Sequence, residues 1–192
     1  MKGLLRWTLL LAAALLALQL FFVARIALMV AVNPQSTAFE RSEAWRILNE
    51  KDRLRWRQQW VDYADISDHL KRAVIASEDD GFTYHDGVDW DALEKAWQKN
   101  ARAEALAAKK AANGAKVVKP PKIVGGSTIT QQLAKNLFLS GERTFLRKGQ
   151  EFVLTFLLER LLSKRRILEI YLNHVEWGEG VFGAEAAAQH YF

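Results

Sequence analysis

The sequence contains no cysteine, so it offers no disulfide framework, no thiolate metal site and no thiol nucleophile. It also has no internal repeat and no convincing run of alternating polar and apolar residues, which argues against a sheet-based fold. Its 192 residues, half of them hydrophobic, suffice for one compact domain and a membrane segment, but not for two full catalytic domains. We therefore predict a mainly α protein with one active site.

The formal net charge is +5, and the basic residues recur in helix-like stretches instead of forming one tail. This distribution favours an anionic partner. Phosphate groups, anionic lipid and nucleic acid all meet that description.

The N-terminus is the longest apolar part of the chain. Residues 7–24 are uncharged, and Arg25 separates them from a second apolar run that ends at Val32. About 20 apolar residues span a bilayer, so we predict a short cytoplasmic N-terminus over 1–6 and a single transmembrane anchor over 7–32. Lys2 and Arg6 precede the run and hold the N-terminus inside. A cleaved signal peptide is the alternative, although no convincing cleavage site precedes Asn33.

Residues 33–65 are predicted to form a linker and a membrane-proximal region. The stretch from Trp45 to Trp60 is rich in Trp and Arg. Such a mixture suits a membrane interface, and it equally suits packing at the base of the domain.

A helix is predicted from Ile66, with Asp65 or Ser67 available as its N-cap. It ends in the acidic run Glu78, Asp79, Asp80. Acid at a helix C-terminus opposes the macrodipole, and a local rule broken in this way often marks function.

The segment from Asp91 to Ala112 reads as an exposed helix or a mobile segment without an active-site role, and a stop follows at Asn113-Gly114 and Pro120-Pro121. Gly125 and Gly126 then precede another helix, where Thr128 and Gln131 fit a capping box. Backbone amides at such a helix start can bind an anion.

The segment from Phe145 to Leu162 is predicted to be an apolar helix, in which Arg147 and Glu151 share one face. The alternative for this pair is an ordinary surface ion pair. A basic helix is predicted from Ser163 to Asn173, and a last helix begins within Gly183 to Phe192.

Several blocks, taken in order, resemble the peptidoglycan glycosyltransferases of glycosyltransferase family 51. The first is Ala73 to Phe82, continued by His85, Gly87 and Asp89, and the second is GGSTITQQLAKNLFL over Gly125 to Leu139. The other three are Arg147-Lys148-x-x-Glu151, KRRILE-x-YLN from Lys164 to Asn173, and the glycine and alanine motif that runs from Gly183 to Phe192.

The resemblance implies a lysozyme-like helical glycosyltransferase domain over 66–192 behind the membrane helix. The sequence from Trp177 to Gly183 is most similar to that of the monofunctional biosynthetic branch of Gram-negative bacteria. Bifunctional penicillin-binding proteins share the same motifs. Two departures are visible. The segment between Asn100 and Pro121 is longer than the usual connection, and the chain stops at Phe192 inside the last motif, so we expect a domain truncated at its C-terminus.

The implied activity is polymerisation of lipid II onto a growing lipid-linked glycan strand, with inversion and release of undecaprenyl diphosphate. The implied place is the outer, periplasmic face of the bacterial inner membrane, in cell-wall and cell-shape biosynthesis. Glu78 is the candidate base for the acceptor 4-hydroxyl, a role that partial burial of the carboxylate would favour. Glu151 is the second catalytic candidate, on the donor side.

Charge that develops on the leaving diphosphate requires cations and hydrogen-bond donors in place beforehand. Arg grips phosphate oxygens in pairs, whereas Lys acts as a point charge. The candidates are Lys135, Arg147, Lys148, Ser127, Thr128, Gln132 and Asn136. Without the resemblance, the three cations would equally be read as a solvated basic face.

Supporting roles are assigned to Asp79, Phe82 and His85. No compact set of metal ligands is visible, so the metal site is left unknown. No cofactor is expected to be required, and a divalent cation, Mg²⁺ or Mn²⁺, is considered only as an activator. Expected partners are the membrane, lipid II, the growing strand and other cell-wall synthesis and division proteins, but not nucleic acid.

Three other interpretations are open. A lytic or hydrolytic glycosidase could use the same helical fold and a catalytic Glu, although the block from Gly125 to Leu139 and the cations argue against it. A non-catalytic membrane scaffold gives no reason for these motifs in this order. The chain could also be the N-terminal part of a bifunctional penicillin-binding protein.

Overall fold

The computed structural model of the chain describes residues 2–54, 56–112, 123–142 and 144–192. Helices dominate the described residues, as predicted, and three very short strands join them. The helices are α1 (Lys2–Leu28), α2 (Ala38–Lys51), α3 (Asp68–Glu78), α4 (Trp90–Ala112), α5 (Ile129–Phe138), α6 (Phe145–Leu161), α7 (Lys164–His174) and α8 (Ala184–Tyr191). The strands are β1 (Arg57–Gln58), β2 (Glu176–Gly178) and β3 (Val181–Phe182).

Helix α1 has the length and composition of a membrane span. Its 27 residues have a mean hydropathy of 2.3 over the most apolar window, and at 1.5 Å per residue they extend about 40 Å. No other helix of the described ranges passes the same test. Among the described residues, its last turns pack against the rest of the protein, and Phe22 and Ile26 are buried there.

The main core lies between α5, α6 and α7. Leu133, Leu154 and Leu172 are buried there, and Ile26 of α1 belongs to the same apolar cluster. Buried apolar residues recur at helical spacing in α5, at Ile129, Leu133 and Leu137, and several turns of α7 are likewise buried. This packing fixes the position of α5, which carries several residues of the candidate site.

The linker after α1 is tied to helix α7 through a buried polar contact. Glu40 and His174 are almost completely buried, and their Oε1 and Nδ1 atoms lie 2.7 Å apart. The other ring nitrogen of His174 lies 3.0 Å from the carbonyl oxygen of Pro34. These contacts connect α2 and the linker directly to α7.

The short sheet was not predicted. Strand β3 lies in the middle, parallel to β1 and antiparallel to β2. Strands of two or three residues carry too little alternating pattern to be seen in a sequence. Of the tryptophans near β1, Trp56 packs on Phe182 and Trp60 on His174, whereas Trp45 is exposed, so packing explains two of the three.

Helix α3 begins two residues later than predicted, and Ser67 occupies its N-cap position without a side-chain hydrogen bond. Helix α4 confirms that the segment to Ala112 is helical and largely exposed. The stop predicted at Asn113-Gly114 and Pro120-Pro121 lies outside the described residues.

Gly183 begins α8 with a backbone that only glycine adopts easily. Its φ is +82°, and a Cβ atom there would lie 2.6 Å from the carbonyl oxygen of Asn173. We expect Gly183→Ala to lower the free energy of unfolding by about 2 kcal/mol, because left-handed strain and a backbone clash add up. Thermal denaturation followed by circular dichroism measures the loss.

Gly149→Ala is the matched control for that substitution. Gly149 lies inside α6 with no atom within 4 Å of the added methyl group, so alanine should stabilise the helix by about 0.5–1 kcal/mol. Equal melting temperatures for the two variants would contradict the role given to Gly183.

Candidate active site

The acidic end of α3 and the glycine segment before α5 meet at one cleft, although they are about 50 residues apart in the chain. The cleft has a volume of about 140 Å³. Its lining consists of Ala76, Ser77, Glu78, Asp79, Asp80, Asp89, Ala92, Gly125, Gly126, Ser127 and Thr128. Two of the sequence blocks that carry the resemblance therefore form one surface.

The contacts of Asp79 explain the presence of an acidic residue at the C-terminal end of α3. Its side chain is buried, and Oδ2 accepts a hydrogen bond of 3.0 Å from the backbone N–H of Ile129, the first residue of α5. A carboxylate at a helix N-terminus is stabilised by the macrodipole and by the free amides. The anion predicted at this helix start is thus the protein's own Asp79.

His85 holds the second oxygen of Asp79. Its Nε2 lies 2.8 Å from Asp79 Oδ1, and its Nδ1 accepts a hydrogen bond of 3.1 Å from the backbone N–H of Gly87. Because Nδ1 is an acceptor, the ring donates its Nε2 proton to the carboxylate. Both ring nitrogens are therefore engaged, and His85 acts as a strut between the 81–89 loop and Asp79.

The same loop is fixed from the opposite side by Lys164 of α7. Its ammonium donates to the His85 carbonyl oxygen at 2.6 Å and to Glu159 at 2.8 Å. It also lies 4.6 Å from the ring centre of Phe82, which is buried. Phe82 and His85 thus belong to the scaffold beneath the cleft.

Thr128 forms the predicted capping box with Gln131. Its hydroxyl accepts from the Gln131 backbone N–H, and the Gln131 side chain accepts from the Thr128 backbone N–H. The hydroxyl proton goes to the carbonyl oxygen of Gly87 at 2.6 Å. Because Thr128 is buried and its hydroxyl is committed inside the protein, it cannot donate to a substrate in this arrangement, contrary to the predicted role. Ser127 is exposed beside it and retains that possibility.

Glu78 projects into the cleft and is exposed, so the partial burial expected for it is not found. Its Oε2 accepts a hydrogen bond of 3.0 Å from Gln132 Nε2. Lys135 and Asn136 follow Gln132 by three and four residues, which places them on the same face of α5. One helix face thus presents an amide, an ammonium and a second amide next to the candidate base.

Lys135 is the cation on this face of α5. Its side chain is half-buried, and within the described ranges it makes no salt bridge. An unpaired, partly desolvated ammonium attracts an anion more strongly than a solvated one. The face of α5 is therefore suited to a negatively charged ligand.

The hydroxyl of Tyr171 on α7 donates to Gln132 Oε1 at 3.1 Å. The sequence blocks included Tyr171 without a role, and only the structure shows its contact with the site. Burial, together with the nearby carboxylates of Glu78 and Asp79, raises the pKa of Tyr171 above its ordinary value. The phenol therefore keeps its proton and remains a donor.

The third candidate group lies on α6. Glu151 is buried, its Oε2 accepts a hydrogen bond of 2.8 Å from Arg147, and its Oε1 accepts one from Lys148. This confirms the predicted pairing of Arg147 with Glu151 and excludes an ordinary surface ion pair, because the Glu151 side chain is only 4% exposed. Arg147 Nε is buried and has no partner among the described residues.

The candidate residues thus fall into two groups. Glu78 and Ser127 line the cleft, and Gln132, which donates to Glu78, shares its face of α5 with Lys135 and Asn136. Arg147, Lys148 and Glu151 form a separate cluster on α6. In the described parts of the chain, no hydrogen bond or salt bridge joins one group to the other.

A resident metal does not fit these residues. Where the chain is described, no three His, Asp or Glu side chains come together as ligands, and both nitrogens of His85 are already engaged. No chemical step is assigned to a metal bound by the protein.

Comparison with known proteins matches most of the chain beyond the apolar helix α1. The family model described as transglycosylase matches residues 46–192. Three relatives carry the name biosynthetic peptidoglycan transglycosylase. The protein of Herminiimonas arsenicoxydans is 50% identical over 193 residues, covering 100% of this chain and 77% of its own length.

The other two relatives give similar values. The protein of Burkholderia orbicola (strain MC0-3) is 53% identical over 182 residues, with 94% of this chain and 67% of the relative covered. The protein of Janthinobacterium sp. (strain Marseille) is 54% identical over 179 residues, with 92% and 70% covered. The chain therefore spans between two thirds and about three quarters of the length of these proteins.

The mainly helical domain, which carries the matched transglycosylase region, belongs to the class of lysozyme-like glycosyltransferases. The chain belongs to the transglycosylase family. This membership confirms the resemblance drawn from the motifs and the enzyme class, peptidoglycan glycosyltransferase, that they predicted.

Proposed function

We propose that this chain polymerises lipid II into β-1,4-linked glycan strands and releases undecaprenyl diphosphate. The observation that carries the proposal is the cleft, where Glu78 stands beside the polar face of α5 that bears Gln132 and Lys135. Glu78 can serve as the base, and Lys135, which shares the helix face of Gln132, can bind an anion. Finished glycan lacks the diphosphate that this ammonium would recognise.

Glu78 takes the proton from the 4-hydroxyl of the acceptor sugar as that oxygen attacks the anomeric carbon of the donor. The bond from the anomeric carbon to the diphosphate breaks, and the leaving group keeps the electron pair. One base and one displacement invert the anomeric centre, so no covalent sugar intermediate is needed. The exposed position of Glu78 leaves its carboxylate accessible to the acceptor.

Arg147 and Lys148 supply positive charge for the second diphosphate-binding region. Glu151 holds both side chains in one orientation, which reduces the entropy lost when a flexible lipid diphosphate binds. Glu151 acts here by positioning the cations on the donor side.

Helix α1 is proposed as the membrane anchor, with the N-terminus in the cytoplasm and the enzyme on the periplasmic face of the inner membrane. Arg6 and Arg25 are 19 residues apart, about 28 Å along a helix, which matches the hydrocarbon thickness of about 30 Å. Phe22, Ile26 and Met29 pack into the fold. Cleavage of a signal peptide would remove these core side chains, so their burial favours a retained anchor.

The start of α6 is placed to meet the same membrane. Gln19 of α1 and Gln150 of α6 exchange hydrogen bonds of 3.0 and 3.2 Å, so α6 begins beside the proposed span. Phe145 and Leu146 in its first turn are almost completely exposed, and lipid would cover them. The cation cluster on α6 would then lie close to the membrane from which lipid II is supplied.

A divalent cation, Mg²⁺ or Mn²⁺, is proposed only as an activator that binds with the diphosphate oxygens. The predicted association with other cell-wall synthesis and division proteins stays a prediction.

Lys135→Met tests the anion-binding face of α5. Methionine keeps the unbranched apolar stem and removes the charge, so we expect kcat/KM for lipid II to fall about 100-fold. Lys99→Met on the exposed side of α4 is the matched control and should keep wild-type kinetics. Equal kinetics for both variants would show that Lys135 is only a solvated surface residue.

Polymerisation is distinguished from glycan cleavage by offering the protein two substrates separately. With fluorescent lipid II in detergent, we expect long products on a gel, and with finished glycan strands we expect no shortening and no new reducing ends. Shortened strands without polymer would instead establish the lytic glycosidase. Neither reaction, from protein shown to be folded, would favour the non-catalytic scaffold.

A further inference from the structure

Glu78, Gln132 and Tyr171 form a continuous hydrogen-bonded chain from the cleft into the core. The Tyr171 hydroxyl donates to Gln132 Oε1 at 3.1 Å, and Gln132 Nε2 donates to Glu78 Oε2 at 3.0 Å. The three residues lie on α7, α5 and α3. The chain therefore connects three separate helices at the candidate base.

The direction of this chain is fixed by its two ends. Carboxylate oxygens of Glu78 only accept, so the Gln132 amide must present its NH₂ group to them. Its carbonyl oxygen then faces Tyr171 and needs a donor. If Gln132 turned over, its carbonyl oxygen would face the carboxylate, and two acceptors would repel each other.

Tyr171 is suited to be that donor. It is only 2% exposed, so it cannot reach a substrate, and its ring is held in the main core. Burial and the two nearby carboxylates raise the pKa of its hydroxyl, which keeps the proton on the oxygen.

We propose that Tyr171 is a positioning residue that orients Gln132, so that Gln132 holds the Glu78 carboxylate in one rotamer facing the acceptor. This rests on the proposed function of Glu78 as the base. An exposed glutamate samples several rotamers, and each one that points away from the acceptor is unproductive. The role predicted for Gln132, donation to the diphosphate, is thereby extended to the base itself.

Tyr171→Phe removes the hydroxyl and keeps the ring in the core. We expect kcat to fall about five- to tenfold, the value of one hydrogen bond expressed as a rate, with KM for lipid II within twofold. The rate–pH profile gives a second readout. A weaker hydrogen bond to the carboxylate disfavours its ionised form, so the acid limb should move to higher pH.

Charges near Glu78 also affect the acid limb of the rate–pH profile, so they must be the same in the variants that are compared. They are the carboxylates of Asp79, Asp80 and Asp89 in the cleft, and the ammonium of Lys135 on α5. None of them is altered by Tyr171→Phe. The matched control is Tyr63→Phe, since the Tyr63 ring packs against Lys71 and Arg165 and its hydroxyl makes no hydrogen bond with a described residue.

A double-mutant cycle decides whether Tyr171 acts through Gln132. Gln132→Met removes the amide at nearly constant length, and in that background Tyr171→Phe should change kcat by less than twofold. The proposal is overturned if Tyr171→Phe alone leaves kcat and the pH profile unchanged, or if its effect persists undiminished beside Gln132→Met. A wild-type protein that makes no polymer would instead refute the proposed function.

Discussion

Glu78→Gln should reduce the polymerisation rate at least 1,000-fold relative to the wild-type protein, within the range of about 10²–10⁴ that a general base contributes. Glutamine has nearly the same shape and can still accept the hydrogen bond from Gln132, but it cannot take a proton from the acceptor hydroxyl. Because Glu78 is exposed, the melting temperature should change little. Product formed per minute from fluorescent lipid II measures the effect.

Glu104→Gln is the control for that loss. Glu104 is an exposed glutamate on α4, outside the cleft, and the same substitution there should leave the rate unchanged. Retention of more than about a tenth of the wild-type rate by Glu78→Gln would show that another group takes the proton.

Asp79→Ala should destabilise the fold by about 3 kcal/mol. The substitution leaves the buried N–H of Ile129 and the Nε2–H of His85 without an acceptor, and it removes the negative charge from the start of α5. For a chain of this length, the melting temperature should fall by roughly 6–12 °C. Thermal denaturation in detergent measures the change.

The neighbouring residue provides the comparison. Asp80 is exposed, so Asp80→Ala should change stability by less than about 0.5 kcal/mol. If the two variants melted at the same temperature, Asp79 would not be the link between α3 and α5 that the structure indicates.

Features decided by neighbours in the sequence could be predicted. The capping box of Thr128 with Gln131 and the pairing of Arg147 with Glu151 each involve residues three or four positions apart, and both are confirmed. Such contacts depend on helical geometry alone. The apolar character of α1 could also be read from the sequence, although the helix runs from Lys2 to Leu28 and so ends four residues before the predicted end of the anchor at Val32.

Features decided by distant contacts could not be predicted. Asp79 accepts a hydrogen bond from the backbone N–H of Ile129, 50 residues away. From the sequence, the Asp79 carboxylate appeared only as an unfavourable charge at a helix C-terminus. Thr128 was expected to face the substrate, because nothing in the sequence shows that Gly87, 41 residues earlier, takes its hydroxyl proton. The strands β1 and β3 are likewise separated by more than 100 residues.

Tyr171 shows the same limit at the site itself. Its block was recognised, but helical spacing places it in the core of α7, where a tyrosine normally serves packing. Only the crossing of α5 over α7 brings its hydroxyl to Gln132. The one signal in the sequence was a hydroxyl-bearing side chain at an apolar position of a recognised motif block.

The most direct measurement of the central claim is the product made from lipid II by the wild-type protein in detergent, followed by digestion with a β-1,4-specific muramidase. The account predicts long glycan strands that the muramidase reduces to disaccharide units. The absence of polymer from a protein with the expected helical circular dichroism spectrum, or polymer that resists the muramidase, would contradict it.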